Sequence, residues 1–542
     1  MKKILYQFLG LAVVVATATG CSKKLDEVYQ NPNAPTKVPP ETLLPPIIAT
    51  LAANGAGHGP LNDIRFIARY VQYWSGNNAL EQYERMGGTT GASDNAGSLW
   101  RIHYYDLGQN VLRMIEWAAE EKKWDYVGVG KAILAWSWLQ LTDYHGEVIL
   151  KDAFNTNLLT FRFDKEEEVY MHVRKLCREA IEDLNKTGDG VSSENLAKGD
   201  AYFYKGDVNK WKKFVYAVMA RSFNHLSNKS IYQPDSVIHY ANLSMTSNAD
   251  NAMVRFAATG ISANSNFFGP LRNNMNTPSS TRQSAYIANL MSGRNPQFSG
   301  VADPRAWYML KTNANNTFVG YAVAAGNASI PVVNDRPRTF WGTRWDSVAA
   351  PANDANCTYI FRNNAPIPVI TASEVLFMKA EAALRKNDRT TAREAYRQAI
   401  ALNFDMLASE YNAGVPEDKQ ITPAIRDAFL ADPNVVPAAA DLRLSHIMLQ
   451  KYIALFGWGT LETWVDMRRY HYTDIDPATG QQVYRDFTPP SGATLFLDNN
   501  GRYVYRVRYR YNSEYVWNLA ELEKLGATAL DWHTKEVWFS KP

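Results

Sequence analysis

Two stretches of this chain set flat aromatic rings beside amide and guanidinium groups, the combination that can hold a ligand with apolar faces and a rim of hydroxyls. In the first, Tyr73-Trp74 ends a helical pattern and runs into Ser75-Gly76-Asn77-Asn78, with Tyr83 beyond. In the second, Arg338, Trp341, Arg344 and Trp345 fall in one short turn-rich run. Sugars present such C–H faces and hydroxyls, so the candidate ligand-binding residues are Trp74, Asn77, Tyr83, Arg338, Trp341, Arg344 and Trp345. Taken singly, each ring has a second reading as a residue that closes the edge of the core.

Patterns that would support catalysis are missing. There is no His-Glu-x-x-His and no Gly-x-Ser-x-Gly, and Gly128-x-Gly130-Lys131 lacks the spacing of a phosphate loop. Asp143-Tyr144-His145-Gly146-Glu147 gathers ionisable groups, but it follows a run carrying Trp136, Trp138 and Leu139 and reads as a helix-ending turn. A glycosidase needs only two carboxylates ~5 to 9.5 Å apart in space. With 54 acidic residues such pairs are always available, so a surface glycosidase stays as a minor alternative. The expectation is a protein with no catalytic residues, no metal ligands and no cofactor.

The whole chain has 542 residues, 46% of them hydrophobic and 20% charged, enough apolar material for a sizeable core. A formal charge of +3 without any long basic run excludes a nucleic-acid binder. Cys177 and Cys357 lie far apart and form no disulfide framework or zinc pattern. Cys177 sits among Val169, Val173, Leu176, Ala180, Ile181 and Leu184 at helical spacing and reads as core.

At the N-terminus, Met1-Lys2-Lys3 precedes an apolar run from Ile4 to Val15 and small residues ending at Gly20. That run is too short for a bilayer of ~30 Å, so residues 1–20 read as a signal peptide. Cys21, placed directly after it, resembles the acylated cysteine of the lipobox in bacterial lipoproteins. Each buried CH₂ of an acyl chain contributes ~0.8 kcal/mol, and several chains on one residue would hold the protein at a membrane. After Cys21 no apolar stretch reaches ~18 residues. Residues 21–45, with Asn31-Pro32-Asn33-Ala34-Pro35 and Val38-Pro39-Pro40, read as a Pro-rich tether without regular helix.

From there on, helical periodicity dominates, with helices expected near 43–54, 61–74, 98–121, 124–142, 166–185, 207–228, 371–385, 391–403 and 441–470. Asp207 is the expected N-cap of a helix burying Trp211, Phe214, Val215, Val218 and Met219. Between 248 and 365 the periodicity gives way to Asn, Gly, Ser, Pro and aromatics, including Phe267-Phe268-Gly269-Pro270 and Trp307-Tyr308. So long an irregular segment rich in large rings predicts ordered, functional loops. Residues 502–511 alternate arginines with tyrosines and Val507, which predicts a short strand or extended segment whose arginines pair with body carboxylates.

Residues 371–405 predict a helical hairpin. Thr371 and Glu374 have capping-box spacing. Leu376, Ala380 and Ala383 on one helix face Ala392, Tyr396 and Ala399 on the other, the spacing of a tetratricopeptide repeat. A single repeat cannot bury its own face, so degenerate neighbours must stack on it, serving either as scaffold or as a docking surface.

Several segments in order then resemble the SusD/RagB family of Bacteroidetes surface lipoproteins. They are the tethered Cys21, Lys210-Trp211-Lys212-Lys213-Phe214 with Ala220-Arg221, and Ile370 to Ala382. Gln450 to Phe456 follow, then Glu462-Thr463-Trp464 with Arg468-Arg469, Arg508 to Asn518, and Glu536-Val537-Trp538-Phe539. The resemblance implies a mainly α fold, a tetratricopeptide-like helical repeat scaffold with a large irregular loop region and a few short strands. Residues 46–542 would form one such domain with ligand-binding loops mainly in 248–365. It further implies a non-catalytic oligosaccharide-binding lipoprotein, anchored in the outer membrane by Cys21 and facing outward. Its partner would be a TonB-dependent transporter of the SusC type. A peptide ligand on the same architecture is the alternative.

Overall fold

The computed structural model describes residues 37–52, 60–75, 84–87, 97–257, 259–272, 281–342 and 353–542. The expected signal peptide, Cys21 and most of the expected tether therefore lie outside the described residues. Among those described, eleven helices have ten residues or more: α1 (Pro40–Ala52), α2 (Pro60–Tyr70), α3 (Gly108–Glu120), α4 (Trp124–His145), α5 (Glu166–Leu184), α6 (Val208–Asn224), α7 (Pro234–Leu243), α8 (Ala372–Arg385), α9 (Arg389–Glu410), α10 (Leu444–Ala454) and α11 (Thr460–Arg469). The fold is the expected mainly helical one with a few two- to four-residue strands. None of these helices is long and apolar enough to cross a membrane.

The tether ends earlier than its prolines suggested. Pro40 opens α1, where a missing N–H costs nothing, and Pro45 and Pro46 sit inside it. They delete two ladder donors, yet the helix holds because Leu44, Ile47, Ile48 and Leu51 are buried. Lys37 Nζ reaches Glu120 Oε2 at 2.6 Å and Lys123 Nζ reaches Glu41 Oε2 at 2.9 Å, so residues 37–45 pack on the body.

The helices stack in chain order: α3 on α4, α4 on α5, α5 on α6, α6 on α7, α7 on α8, and α8 on both α9 and α10. Asp207 caps α6, accepting from the N–H groups of Asn209 and Lys210, and all five apolar positions expected on its inner face are buried. In the α8–α9 hairpin, Leu376, Ala380, Ala383, Ala392, Tyr396 and Ala399 are buried as the repeat spacing requires, and Asn387 takes the left-handed conformation of the tight turn at φ 63°. The capping box is only half made. Thr371 Oγ1 accepts from Glu374 N at 3.2 Å, whereas the Glu374 carboxylate leaves the helix end to accept from Nε and Nη2 of Arg221 at 2.6 and 2.8 Å.

That pair opens a buried ionic network where α4, α6, α8, α10 and α11 meet. Arg221 also lies 3.5 Å from Glu462, which accepts from His225 Nε2 at 3.1 Å and faces Lys451 at 3.5 Å. Lys451 pairs with Asp466 at 2.7 Å; Arg469 joins Asp466 at 2.5 Å to Glu381 at 2.7 Å. His225 Nδ1 turns to Asp143 at 3.2 Å, and Arg385 stands 3.5 Å from Glu381. Five basic groups (Arg221, His225, Arg385, Lys451, Arg469) thus meet five carboxylates (Asp143, Glu374, Glu381, Glu462, Asp466). The sequence reading of Asp143 to Glu147 as a helix-ending turn describes the backbone, since α4 stops there with Gly146 at φ 85°. A Cβ on Gly146 would stand 2.8 Å from the Arg506 guanidinium, which pairs with Glu147.

Two antiparallel strand pairs fasten the loop region to this stack. β2 (Ala252–Val254) leads into it and β4 (Ile367–Ile370) leads out, and they pair with Ala252 opposite Ile370 and Val254 opposite Ile367, closing its neck. β1 (Trp74–Ser75) pairs with β3 (Arg282–Gln283), tying the end of α2 to its middle. The region also holds short helices at Ala285–Met291 and Ala306–Met309, so it is less irregular than its composition suggested. The 502–511 segment is extended but forms no strand. It bonds instead to separate carbonyls, Tyr505 N to His533 O and Val507 N to Tyr144 O, both at 2.9 Å. One contiguous apolar core runs from Leu44 to Phe539.

Burial alone would depress the His225 pKa, but Glu462 and Asp143 outweigh it and raise the group from 6.5 to about 9. The charged imidazolium therefore stabilises the fold fully below pH 6.5, and this contribution fades as pH rises through 9. At ~1.4 kcal/mol per unit the shift corresponds to about 3 kcal/mol. In urea unfolding, His225→Gln is expected to lie well below the parent protein at pH 6 and to approach it by pH 9. A gap independent of pH would refute the charged histidine.

Candidate functional site

A cavity of about 430 Å³ opens inside the loop region, between Trp307, Lys311, Thr312, Phe318, Arg338, Asn356 and Tyr359. Its parts are placed by the β1–β3 pair. Trp74 on β1 lies opposite Gln283 on β3, and the fully buried Gln283 amide clamps two backbones at once. Its Nε2 donates to Lys311 O at 2.6 Å and to Val319 O at 2.7 Å, while its Oε1 accepts from Lys311 N at 3.0 Å. The two clamped strands flank a turn in which Asn313 Oδ1 accepts from Asn315 N and Thr317 N. Phe318 is thereby set edge-on to Trp307, with ring centres 5.0 Å apart.

Around these half-buried rings stand four cations. Lys419 Nζ lies 4.7 Å from the Trp307 ring centre and the Arg362 guanidinium 4.3 Å from that of Tyr359, the geometry of cation–π contacts. Arg338 Nη1 donates to Thr312 Oγ1 at 3.0 Å. Lys311 Nζ donates to Asn356 O; burial, helped by Arg338 and Arg362, lowers its pKa from 10.5 to about 8. At neutral pH it stays charged. The Cys357 thiol at the back donates to Phe361 O at 3.2 Å, and burial pushes its pKa far up, which makes it inert.

Among the described residues, none that lines this cavity is Asp or Glu. Nor do the described residues gather three His, Cys, Asp or Glu side chains that could hold a metal. What the lining offers is rings, amide and hydroxyl groups, and donors with positive charge.

The sequence candidates divide three ways. Arg338 lines the cavity. Trp74 and Trp341 are 1% and 3% exposed and pack into an adjacent aromatic cluster with Phe268, Phe340 and Phe361. Trp341 stacks on Phe361 at an 18° interplanar angle and donates its Nε1–H to Phe268 O at 2.6 Å. Both tryptophans thus present no free ring face here; they close the core, the second reading their types allowed. Asn77, Tyr83, Arg344 and Trp345 lie outside the described residues. Sequence reasoning passed over Trp307, Lys311, Phe318 and Tyr359 as site residues. Trp307-Tyr308 was a visible ring pair, but nothing local marked which ring would stay half open.

With this geometry established, comparison with known proteins gives the family. The family described as "Starch-binding associating with outer membrane", SusD-like, matches residues 32–491, and the chain belongs to it. The fold is shared with a SusD/RagB family protein of Bacteroides thetaiotaomicron at 20% identity and TM-score 0.69, covering 93% of this chain and 99% of that one. A Bacteroidetes SusD-like protein gives 17% identity and TM-score 0.67 over 93% of this chain and all of the other. A chitin-binding SusD homologue from Flavobacterium johnsoniae gives 18% and 0.65 over 92% and 98%. A comparison with curated proteins gives no match.

Stability separates the two roles. Trp341→Ala removes a buried ring and its hydrogen bond and is expected to cost about 3–5 kcal/mol. Arg338→Ala, at the half-buried cavity wall, is expected to cost about 1 kcal/mol or less. Equal losses in urea unfolding would contradict this division.

Proposed function

We propose that this protein is a non-catalytic oligosaccharide receptor of the outer membrane, which takes its ligand at the loop region and passes it to a TonB-dependent transporter of the SusC type. The observation that carries the reading is the cavity itself. Half-buried Trp307 and Tyr359 offer faces to sugar C–H groups, and Arg338, Lys311, Thr312 and Asn356 offer hydroxyl partners. The described lining is made of rings, amides, hydroxyls and cations, which suits capture of a sugar. The family description and the chitin-binding relative make α-glucan and chitin fragments the first ligands to try.

In this reading Asn77, Tyr83, Arg344 and Trp345 add contacts to the ligand, while Trp74 and Trp341 hold the adjacent aromatic cluster. Residues 1–20 are removed on export, Cys21 is acylated, and a tether ending near residue 37 connects lipid to body.

Calorimetric titration with malto- and chito-oligosaccharides tests ligand capture. Binding is expected, without turnover, and Trp307→Ala is expected to weaken it about tenfold or more, about 1.4 kcal/mol. Ligand hydrolysis, peptide binding in place of sugar, or an unchanged affinity in Trp307→Ala would overturn the assignment. Separately, Cys21→Ser is expected to abolish palmitate labelling and to release the protein from outer membranes, from which the parent should copurify with a transporter. Membrane retention of the variant would refute the lipid anchor.

A further inference from the structure

A second cavity, of about 520 Å³, shares no lining residue with the first. Two π-helical turns contribute to its wall, Ile102–Leu107 at the start of α3 and Tyr511–Tyr515 near the C-terminus. Such turns are rare and cluster at functional sites. The rest of the wall is the 149–162 loop, which the body holds at both ends. Tyr104 donates its hydroxyl to Ile149 O at 2.7 Å, and Asn518 accepts from Phe161 N at 3.0 Å and donates to Phe161 O at 2.9 Å. Between these ends Arg162 grips Asp152 with Nε at 2.9 Å and Nη2 at 2.8 Å. Phe154 holds a left-handed backbone at φ 62°, a strained conformation for an aromatic residue. Its ring fits only because residue 108 is glycine, since a Cβ there would stand 2.6 Å from the ring. A wall fixed in this way loses little entropy when a ligand arrives.

Three kinds of surface face the cavity. Buried Trp100 and half-buried Tyr104, Phe154 and Phe161 supply rings, and Tyr105, 64% exposed, stands at the mouth. Ile149, Ala153 and Leu158 form an aliphatic patch. Gln109, Asn155, Thr156 and Ser513 supply uncharged amide and hydroxyl groups, the first three of them exposed. The charged groups of the described lining are already engaged within the protein. Arg101 pairs with Asp106 at 3.4 Å, with its guanidinium 5.6 Å from the Tyr105 ring centre, and Arg510 has partners of its own. Glu514 accepts from Trp100 Nε1 at 3.0 Å and from Asn518 Nδ2 at 2.9 Å. An ionic ligand would have to compete with these partners; a neutral one leaves them in place.

We infer a second binding site here, for a neutral pyranose ring that carries an apolar substituent such as an N-acetyl group. Its C–H face rests on Tyr105 and Phe161, and the substituent methyl lies against Ile149, Ala153 and Leu158. Aromatic faces hold the ring, and a methyl placed on the aliphatic patch leaves water. The amides and hydroxyls both donate and accept, as sugar hydroxyls do, and they select no charge. The site is separate from the Trp307 cavity and does not depend on the reading of it.

The test uses the full mature chain with N-acetylglucosamine, glucose, glucuronate and N-acetylphenylalaninamide as probes at about 10 mM, enough to fill a site with Kd about 1 mM. Saturation-transfer NMR is expected to show N-acetylglucosamine bound more tightly than glucose, glucuronate no tighter than glucose, and the amide silent. In Trp307→Ala, where the first cavity has lost its ring, N-acetylglucosamine should still bind. Adding Tyr105→Ala, an exposed change, should then weaken it about tenfold. A crystal soaked with N-acetylglucosamine should show the ring between Tyr105 and Phe161 with its methyl toward Ile149 and Leu158. The proposal is overturned if N-acetylglucosamine does not bind Trp307→Ala, if glucuronate or the amide binds more tightly, if Tyr105→Ala changes nothing, or if the soaked sugar sits only at Trp307.

Discussion

Ten ionisable side chains, nearly all cut off from water, meet where five helices of the stack converge, and their mutual neutralisation is the condition on which the helical body stands. Each such charge costs several kcal/mol to bury alone, and losing one partner strands the other. The arrangement therefore has little tolerance for slippage between helices. Arg221 reaches Glu374 across α6 and α8, Lys451 reaches Asp466 across α10 and α11, and Arg469 brings α11 back to α8. Apolar contacts alone would allow neighbouring registers. A matched set of point charges allows far fewer.

From that fixed body the loop region departs and returns through paired strands. β4 runs straight into α8, the helix that carries Glu374 and Glu381, so the neck of the region and the ionic network share one element. The β1–β3 pair does the same at the other side, where Gln283 holds the backbone of Lys311 and Val319 in place. Rings that would be loose on a free loop are thus carried by a rigid frame. A preorganised cavity loses less entropy when a ligand arrives.

The helical frame was largely legible in the sequence because periodicity and caps are local signals. Asp207, the α8–α9 hairpin and the end of α4 at Gly146 all follow from residues within one or two turns of each other. Two features were not legible, for a common reason: their partners are distant in the chain. Glu374 has the spacing of a cap partner, but Arg221, 153 residues away, takes its carboxylate. Trp74 and Trp341 look like ligand platforms in polar surroundings until Phe268 and Phe361 cover them. Pro40 looks like a helix breaker and is a helix opener, because Leu44, Ile47, Ile48 and Leu51 follow it at core spacing. Of the chosen site residues, Arg338 lies at the cavity, whereas Trp307 and Tyr359 stand out only once the fold shows which rings remain half open. The family resemblance rested on the order of many weak segments and extends over most of the chain.

The central claim is that a helical body locked by buried charge holds open a ring-lined cavity that retains sugar without cleaving it. A crystal structure after prolonged soaking with a malto- or chito-oligosaccharide tests this most directly. The account predicts an intact chain with one ring against Trp307 and Tyr359 and hydroxyls bonded to Arg338, over an unshifted Arg221–Glu374–Glu462 network. Shortened sugar at a carboxylate pair, or an empty cavity with ligand elsewhere, would contradict it.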